Sequence, residues 1–122
     1  MAAIHETWAW RKLRPTILLR DHWCCQMCGV VLRKGRKHRF SAVVDHIRPY
    51  DLRPDLVLDP ANLWSVCRDC HDRECRRIED KARKVRQWTF RGADWIAEEK
   101  RRYRFVGLDG SASGPGAVTD RA

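Results

Sequence analysis

Apolar residues recur at helical spacing toward both ends of the chain and gather into short β-branched runs in its middle. Near the N-terminus Trp8, Trp10 and Leu13 precede Arg14-Pro15, and Ile17, Leu18 and Leu19 follow. Proline suits the first turn of a helix, which predicts a short helix from Pro15 to about His22. Val30-Val31-Leu32 reads as a first strand and Phe40 to His46 as a second. Between them Arg33-Lys34-Gly35-Arg36-Lys37-His38-Arg39 reads as a basic turn. Pro49, Pro54 and Pro60 argue against regular structure from Arg48 to Ala61, and Asn62 to Val66 reads as extended. From Arg68 to about Gln87 a helix is expected. Its stripe, His71, Cys75, Ile78, Ala82 and Val85, recurs in steps of four and three and points His71 inward. Trp95, Ile96 and Tyr103 predict a last helix from Ala93 to Arg104. Gly107 onward is linker-like and predicts a disordered tail over 107–122. The expectation is one small α+β domain over 1–106, its core at about 15–86, with flanking N- and C-terminal helices.

Composition limits what such a domain can rely on. Of 122 residues, 43% are hydrophobic and 34% are charged, so the core is modest. The net charge of +9 makes a polyanion the expected partner, with nucleic acid as the default reading. Residues 1–7 carry no apolar core of a secretory signal, and no stretch reaches the length of a membrane helix. Cytoplasmic location and no membrane partner are therefore expected. In that setting the six cysteines read as metal ligands or free thiols rather than disulfides.

Two CxxC pairs, Cys25/Cys28 and Cys67/Cys70, can close one tetrahedral four-cysteine zinc site. A structural metal would supply folding free energy that a small core lacks. Cys24 and Cys75 are surplus, and Cys75 suits a small buried apolar site. Between the pairs stand Asp45-His46 and Asn62, and His71 follows directly on Cys70. These side chains comprise a base, an orienting amide and two ligands for a hard cation. Asp69 and Asp72 read as solvated or helix-start acids, and His5, His22 and His38 as surface histidines. Within the basic turn, Arg33, Lys34, Arg36, Lys37 and Arg39 are the expected phosphate contacts.

The order CxxC, Asp-His-Ile, Asn, CxxC-His resembles the HNH endonucleases, or ββα-metal nucleases, over about Pro15 to Lys84. The paired knuckles resemble the zinc-stabilised branch, found among phage and mobile-element enzymes. The resemblance implies a ββα-metal core, a β-hairpin plus a helix, stapled by the four-cysteine site. It implies a phosphodiester hydrolase acting on DNA, with His46 as general base and Asn62 holding the active-site loop and orienting His46. Asp45 and His71 would then bind one catalytic cation. An oxygen ligand at 45 favours Mg2+ or Mn2+ there, beside structural Zn2+ at the cysteines. Cleavage would leave 5′-phosphate and 3′-hydroxyl ends, with the backbone gripped from the minor groove, inside a bacterial or phage-infected cell. No base-reading module stands out, so specificity would be weak, or supplied by a homodimer or a partner protein. Two rival readings are a non-catalytic zinc-stabilised nucleic-acid-binding module and a zinc-ribbon adaptor for proteins.

Overall fold

A computed structural model of the chain describes residues 4–104, so the expected tail over 107–122 lies outside the described residues. The first helix, α1 (Trp8–Arg20), begins at a side-chain cap: Thr7 Oγ1 accepts from Trp10 N at 3.3 Å. It buries Trp10, Ile17 and Leu18, which lie on one face at steps of seven and one. Pro15 therefore sits inside the helix rather than at its start, a correction to the expected Pro15–His22 boundary. Capping by Thr7 and burial of Trp10 set the start earlier, and the helix forgoes only the backbone bond that proline cannot donate.

The second expected strand is β1 (Ala42–His46), and it pairs antiparallel with β2 (Leu63–Cys67). The register sets Ala42 opposite Cys67, Asp45 opposite Trp64 and His46 opposite Leu63. Phe40 and Ser41 drop out of β1 because they close the basic turn: Phe40 O accepts from Arg33 N, and Ser41 N donates to His38 O. Val30–Leu32 is not a strand. Only isolated bridges, Cys24 to Val31 and Arg33 to Ser41, mark it. Here the chain is bent through the first knuckle, with His22, Trp23 and Gly29 at φ of 56°, 53° and 82°. The connection from Arg48 to Ala61 is more regular than expected. It contains 3-10 turns at Pro54–Leu56 and Pro60–Asn62, with the prolines in the first positions, where a missing N–H costs nothing.

After β2 the chain turns directly into helix, as α2 (Arg68–Cys70), one wide π turn (His71–Cys75) and α3 (Arg76–Lys84). The stripe ends at Ala82: Val85 is 49% exposed, and Arg86 reverses the chain at φ 61°. The last helix, α4 (Gly92–Arg101), starts where a side chain would collide, since a Cβ on Gly92 would sit 1.7 Å from the Gln87 carbonyl oxygen. It buries Ala93, Ile96, Ala97 and Lys100, whereas the expected Trp95 and Tyr103 are only partly buried.

The result is a small α+β fold consistent with a ββα-metal core: hairpin, then helix. α1 packs on both strands and α4 packs on α3. Polar ties lock α1 to the hairpin. Arg20 Nη1 donates to Pro60 O at 2.9 Å and Nη2 to Leu63 O at 2.7 Å. Asp21 Oδ2 accepts from Ser65 N at 2.8 Å. These bonds fix the N-terminal helix against the strand end that carries Asp45 and His46. Among the described residues, no helix is long and apolar enough to cross a membrane.

Candidate metal centre and catalytic cleft

The two knuckles converge. The sulfurs of Cys25, Cys28, Cys67 and Cys70 all lie within 4.8 Å of one another, with Cys28 Sγ 3.9 Å from Cys67 Sγ. Four thiolates at about 2.3 Å from one zinc stand about 3.8 Å apart, so the spacing fits a tetrahedral ion. Each knuckle also turns a backbone N–H onto its leading sulfur. Cys28 N donates to Cys25 Sγ at 3.4 Å, and Cys70 N donates to Cys67 Sγ at 3.3 Å. Without a cation four thiols this close cannot all ionise. Hydrogen bonds from its three neighbours pull Cys25 far down, while Cys67 and Cys70 are pushed up. A divalent ion removes that conflict by letting all four lose their protons. Cys24 stays outside the cluster, its Sγ against His22 O, and Cys75 is buried against Met27.

The opposite end of the hairpin carries the other cluster. Asp45 and His46 are neighbours on β1, each only 6% exposed, and both line one cleft of about 350 Å3 with His71 and Glu79. Asp45 uses its two oxygens differently. Oδ2 accepts from Trp64 Nε1 at 2.9 Å, across the strand pair, and from Lys100 Nζ at 3.0 Å. Oδ1 faces His71 Nε2 at 3.8 Å. His71 Nδ1 lies 3.0 Å from Asp72 Oδ1. A carboxylate can only accept, so Nδ1 carries a proton toward Asp72 and Nε2 is the ring nitrogen that faces Asp45. Adjacent ligands at about 2.1 Å from one octahedral cation stand about 3.0 Å apart. The 3.8 Å gap is wider, so a shared cation would draw the partly exposed His71 ring closer to Asp45.

Burial pushes the Asp45 carboxyl up, but Lys100, His71 and the Trp64 bond outweigh it and hold the group below the usual carboxylate range. Lys100 is fully buried and comes from α4. Its ammonium donates to Asp45, to His46 O at 2.8 Å and to Glu79 Oε2 at 2.9 Å. Burial works against its charge, yet the carboxylates of Asp45 and Glu79 outweigh it and raise its pKa above the ordinary lysine value.

His46 is gripped on several sides. Its ring stacks on Trp10, with centroids 5.2 Å apart at 22°, and meets Tyr50 edge-on at 5.0 Å. Its Nε2 lies 2.9 Å from Val57 O. A carbonyl only accepts, so Nε2 carries the proton of the neutral ring and Nδ1 is the basic nitrogen. Burial lowers its pKa below the ordinary histidine value, against the Val57 bond, which raises it. Asn62 is 2% exposed, and its side-chain hydrogen bonds go to Arg48 and Leu56 rather than to His46, the residue it was expected to orient. Its Oδ1 accepts from Arg48 N at 2.8 Å and Nδ2 donates to Arg48 O at 3.0 Å, pinning the loop that follows β1.

Among the basic-turn residues, Arg33 meets His38 at 2.9 Å, and Arg39 pairs weakly with Asp69 at 3.5 Å while lying over Phe40. Arg68 donates to the Arg36 carbonyl, and Lys34 and Lys37 are exposed. His5 is exposed, yet it differs from the expected bystander: its ring stands 6.1 Å from His46 and lines the cleft. Trp10, Asp72 and Lys100 are site residues that the sequence pattern missed. Lys100 alone left a trace, as a lysine on the apolar stripe of Ala93, Ile96 and Ala97.

Residues 25–77 match the HNH endonuclease family model. The HNH segment holds all four cysteines together with Asp45, His46, Asn62 and His71. It excludes Trp10, Glu79 and Lys100, so the side chains that grip Asp45 and His46 come in part from outside it. No curated protein and no solved structure matches the chain.

Proposed function

We propose that this chain is a metal-dependent endonuclease that hydrolyses DNA phosphodiester bonds. The observation that carries the reading is the Asp45 Oδ1–His71 Nε2 pair, 3.8 Å apart beside His46 in one cleft of an HNH segment. Asp45 and His71 would hold Mg2+ or Mn2+, and Cys25, Cys28, Cys67 and Cys70 would hold structural zinc. Bound there, such a cation would supply Lewis-acid charge neutralisation. The rest falls to side chains. His46, kept neutral by burial and with its Nε2–H tied to Val57 O, accepts the proton of the attacking water at Nδ1. Trp10 and Tyr50 keep the ring from rotating away from that water. Asn62 holds Arg48 and hence the loop that carries Tyr50. One such cleft cuts one strand, so a double-strand break takes two molecules or two visits.

Supercoiled plasmid incubated with Mg2+ or Mn2+ is expected to convert to nicked circle, and excess EDTA to abolish the conversion. His46→Ala is expected to keep its zinc and DNA affinity but lose about two to four powers of ten in rate, the usual worth of a positioned base. Wild-type protein that binds DNA yet never cuts with either metal would leave the non-catalytic zinc-stabilised binding module as the better reading.

A further inference from the structure

A second cleft, about 860 Å3, adjoins the first and shares His5, Val43, Val44 and His71 with it. It runs beside β1 between α1 and the basic turn. Arg11 and Arg14 line it from α1, Arg36 from the turn, and Arg68 from the start of α2. Its carboxylates are Glu6 and Asp72, and Asp72 is already taken up by His71 and Arg68. Among the described residues no ion pair involves Arg11, Arg14 or Arg36.

Arg14 is the informative member. It is part-buried, and its Nη2 donates to Ala42 O at 3.0 Å, so the guanidinium is held in place beside β1. Burial first, and the nearby charge of Arg36 second, weaken its hold on its proton. A fixed, partly desolvated cation set against another cation raises the energy of the free protein. An anion placed between them reverses the sign of that interaction. Arginine forks match phosphate oxygens in geometry as well as in charge.

We propose that this groove binds the DNA backbone next to the scissile bond, with Arg11, Arg14 and Arg36 on its phosphates. This rests on the endonuclease reading for the identity of the polyanion, but not on the chemistry of cleavage. It makes α1, outside the HNH segment, part of the substrate surface. It also singles out Arg36 within the basic turn.

The test is fluorescence anisotropy on a labelled duplex oligonucleotide of arbitrary sequence, over a salt series, without added divalent metal so that nothing is cut. Arg11→Gln, Arg14→Gln and Arg36→Gln are each expected to shallow the log K against log salt slope by about 0.9 and to weaken binding about fivefold at 0.15 M salt. Arg14→Lys keeps the charge and is expected to keep the slope. Arg102→Gln, outside the groove and paired with Glu99 at 3.0 Å, is expected to change neither. Should Arg14→Gln lose its fold, the double variant Arg11→Gln/Arg36→Gln decides, because neither of those side chains forms a hydrogen bond or ion pair among those found for the described residues. An unchanged slope in that variant, or a drop only in Lys34→Gln and Arg39→Gln, overturns the proposal. Protein that cuts plasmid normally with the groove arginines removed sinks this inference alone. Protein that binds through the groove and never cuts sinks the endonuclease reading alone.

Discussion

Replacing Lys100 with methionine isolates what the buried ammonium does. The substitution keeps the length of the side chain and removes its charge and three hydrogen bonds, to Asp45, Glu79 and the His46 carbonyl at 2.8–3.0 Å. Lys100 is 0% exposed and Asp45 6%, so water cannot replace the lost partner at Asp45. Removing one partner of a buried pair costs about 3–5 kcal/mol, because the other charge is left in low dielectric. The Trp64 bond to Asp45 survives, and Glu79, with 24% of its side chain exposed, reaches solvent. Both features favour the lower end, about 3 kcal/mol. For a domain of this size that is a fall in Tm of roughly 10–15 °C. The pH dependence follows from Asp45. In the wild type its carboxyl is depressed, so its contribution is present above the unfolded value of about 3.9 and is lost as pH falls through the folded value. In the variant the strongest influence opposing burial is gone, leaving His71 and the Trp64 bond, so that pKa rises, and the variant's deficit is largest near pH 7 and shrinks as Asp45 becomes protonated. Denaturant unfolding at pH 7 and pH 4.5, with zinc present and no added Mg2+ or Mn2+, measures both. A deficit under about 1 kcal/mol at pH 7, or one that grows toward acid, would refute the reasoning.

Two other substitutions separate the metal centre from the loop. Cys67→Ser is expected to lose both bound zinc, about one equivalent in the wild type by metal analysis, and cooperative unfolding. Structural zinc is worth about 10–16 kcal/mol in small modules, as much as or more than the whole stability of a typical domain. Asn62→Ala strands the Arg48 N–H and carbonyl and is expected to cost about 2–3 kcal/mol in denaturant melts while zinc stays bound. Its kcat on plasmid should fall by about tenfold to a hundredfold through a displaced loop, with DNA affinity held.

The parts of the fold that were legible in the sequence are those fixed by local rules. Cysteine spacing located the cluster that closes within 4.8 Å, and a β-branched run located β1 to within two residues. The step-four, step-three stripe located the helix that carries His71 and Cys75. What failed was set by partners distant in sequence. Pro15 looked like a helix start, but Thr7 caps α1 and Trp10 is needed against His46. Val30–Leu32 has strand residues but no strand to pair with beyond single bridges. Val85 continued the stripe, yet α4 turns onto α3 at Ala82 and leaves it in solvent. Lys100 carries a charge that composition assigns to the surface, and only the fold shows it buried under Asp45. Asp72 is exposed, as expected, but the fold also sets it beside the His71 ring.

The positions of the two clasps explain why so small a core can hold a precise cleft. Register sets Ala42 opposite Cys67, so the cysteine cluster closes the end of the hairpin where β1 begins and β2 ends. Asp45 and His46 stand at the other end, where β1 runs into a long connection that a metal at the cysteines cannot reach. A two-stranded sheet frays there unless something holds it. Arg20 grips the start of β2 through Leu63 O, and Asn62 grips Arg48. Lys100 binds the Asp45 carboxylate and the His46 carbonyl together. Trp10 and Lys100 lie on opposite flanks of the HNH segment in sequence and meet the same two adjacent residues in space. The isolated segment 25–77 would therefore keep its zinc ligands but lose the stack on His46 and the ammonium on Asp45. Such a fragment is expected to bind about one equivalent of zinc by metal analysis, yet to cut plasmid far more slowly than the full chain under the same Mg2+ or Mn2+. Equal rates would mean that neither flank contributes to the chemistry.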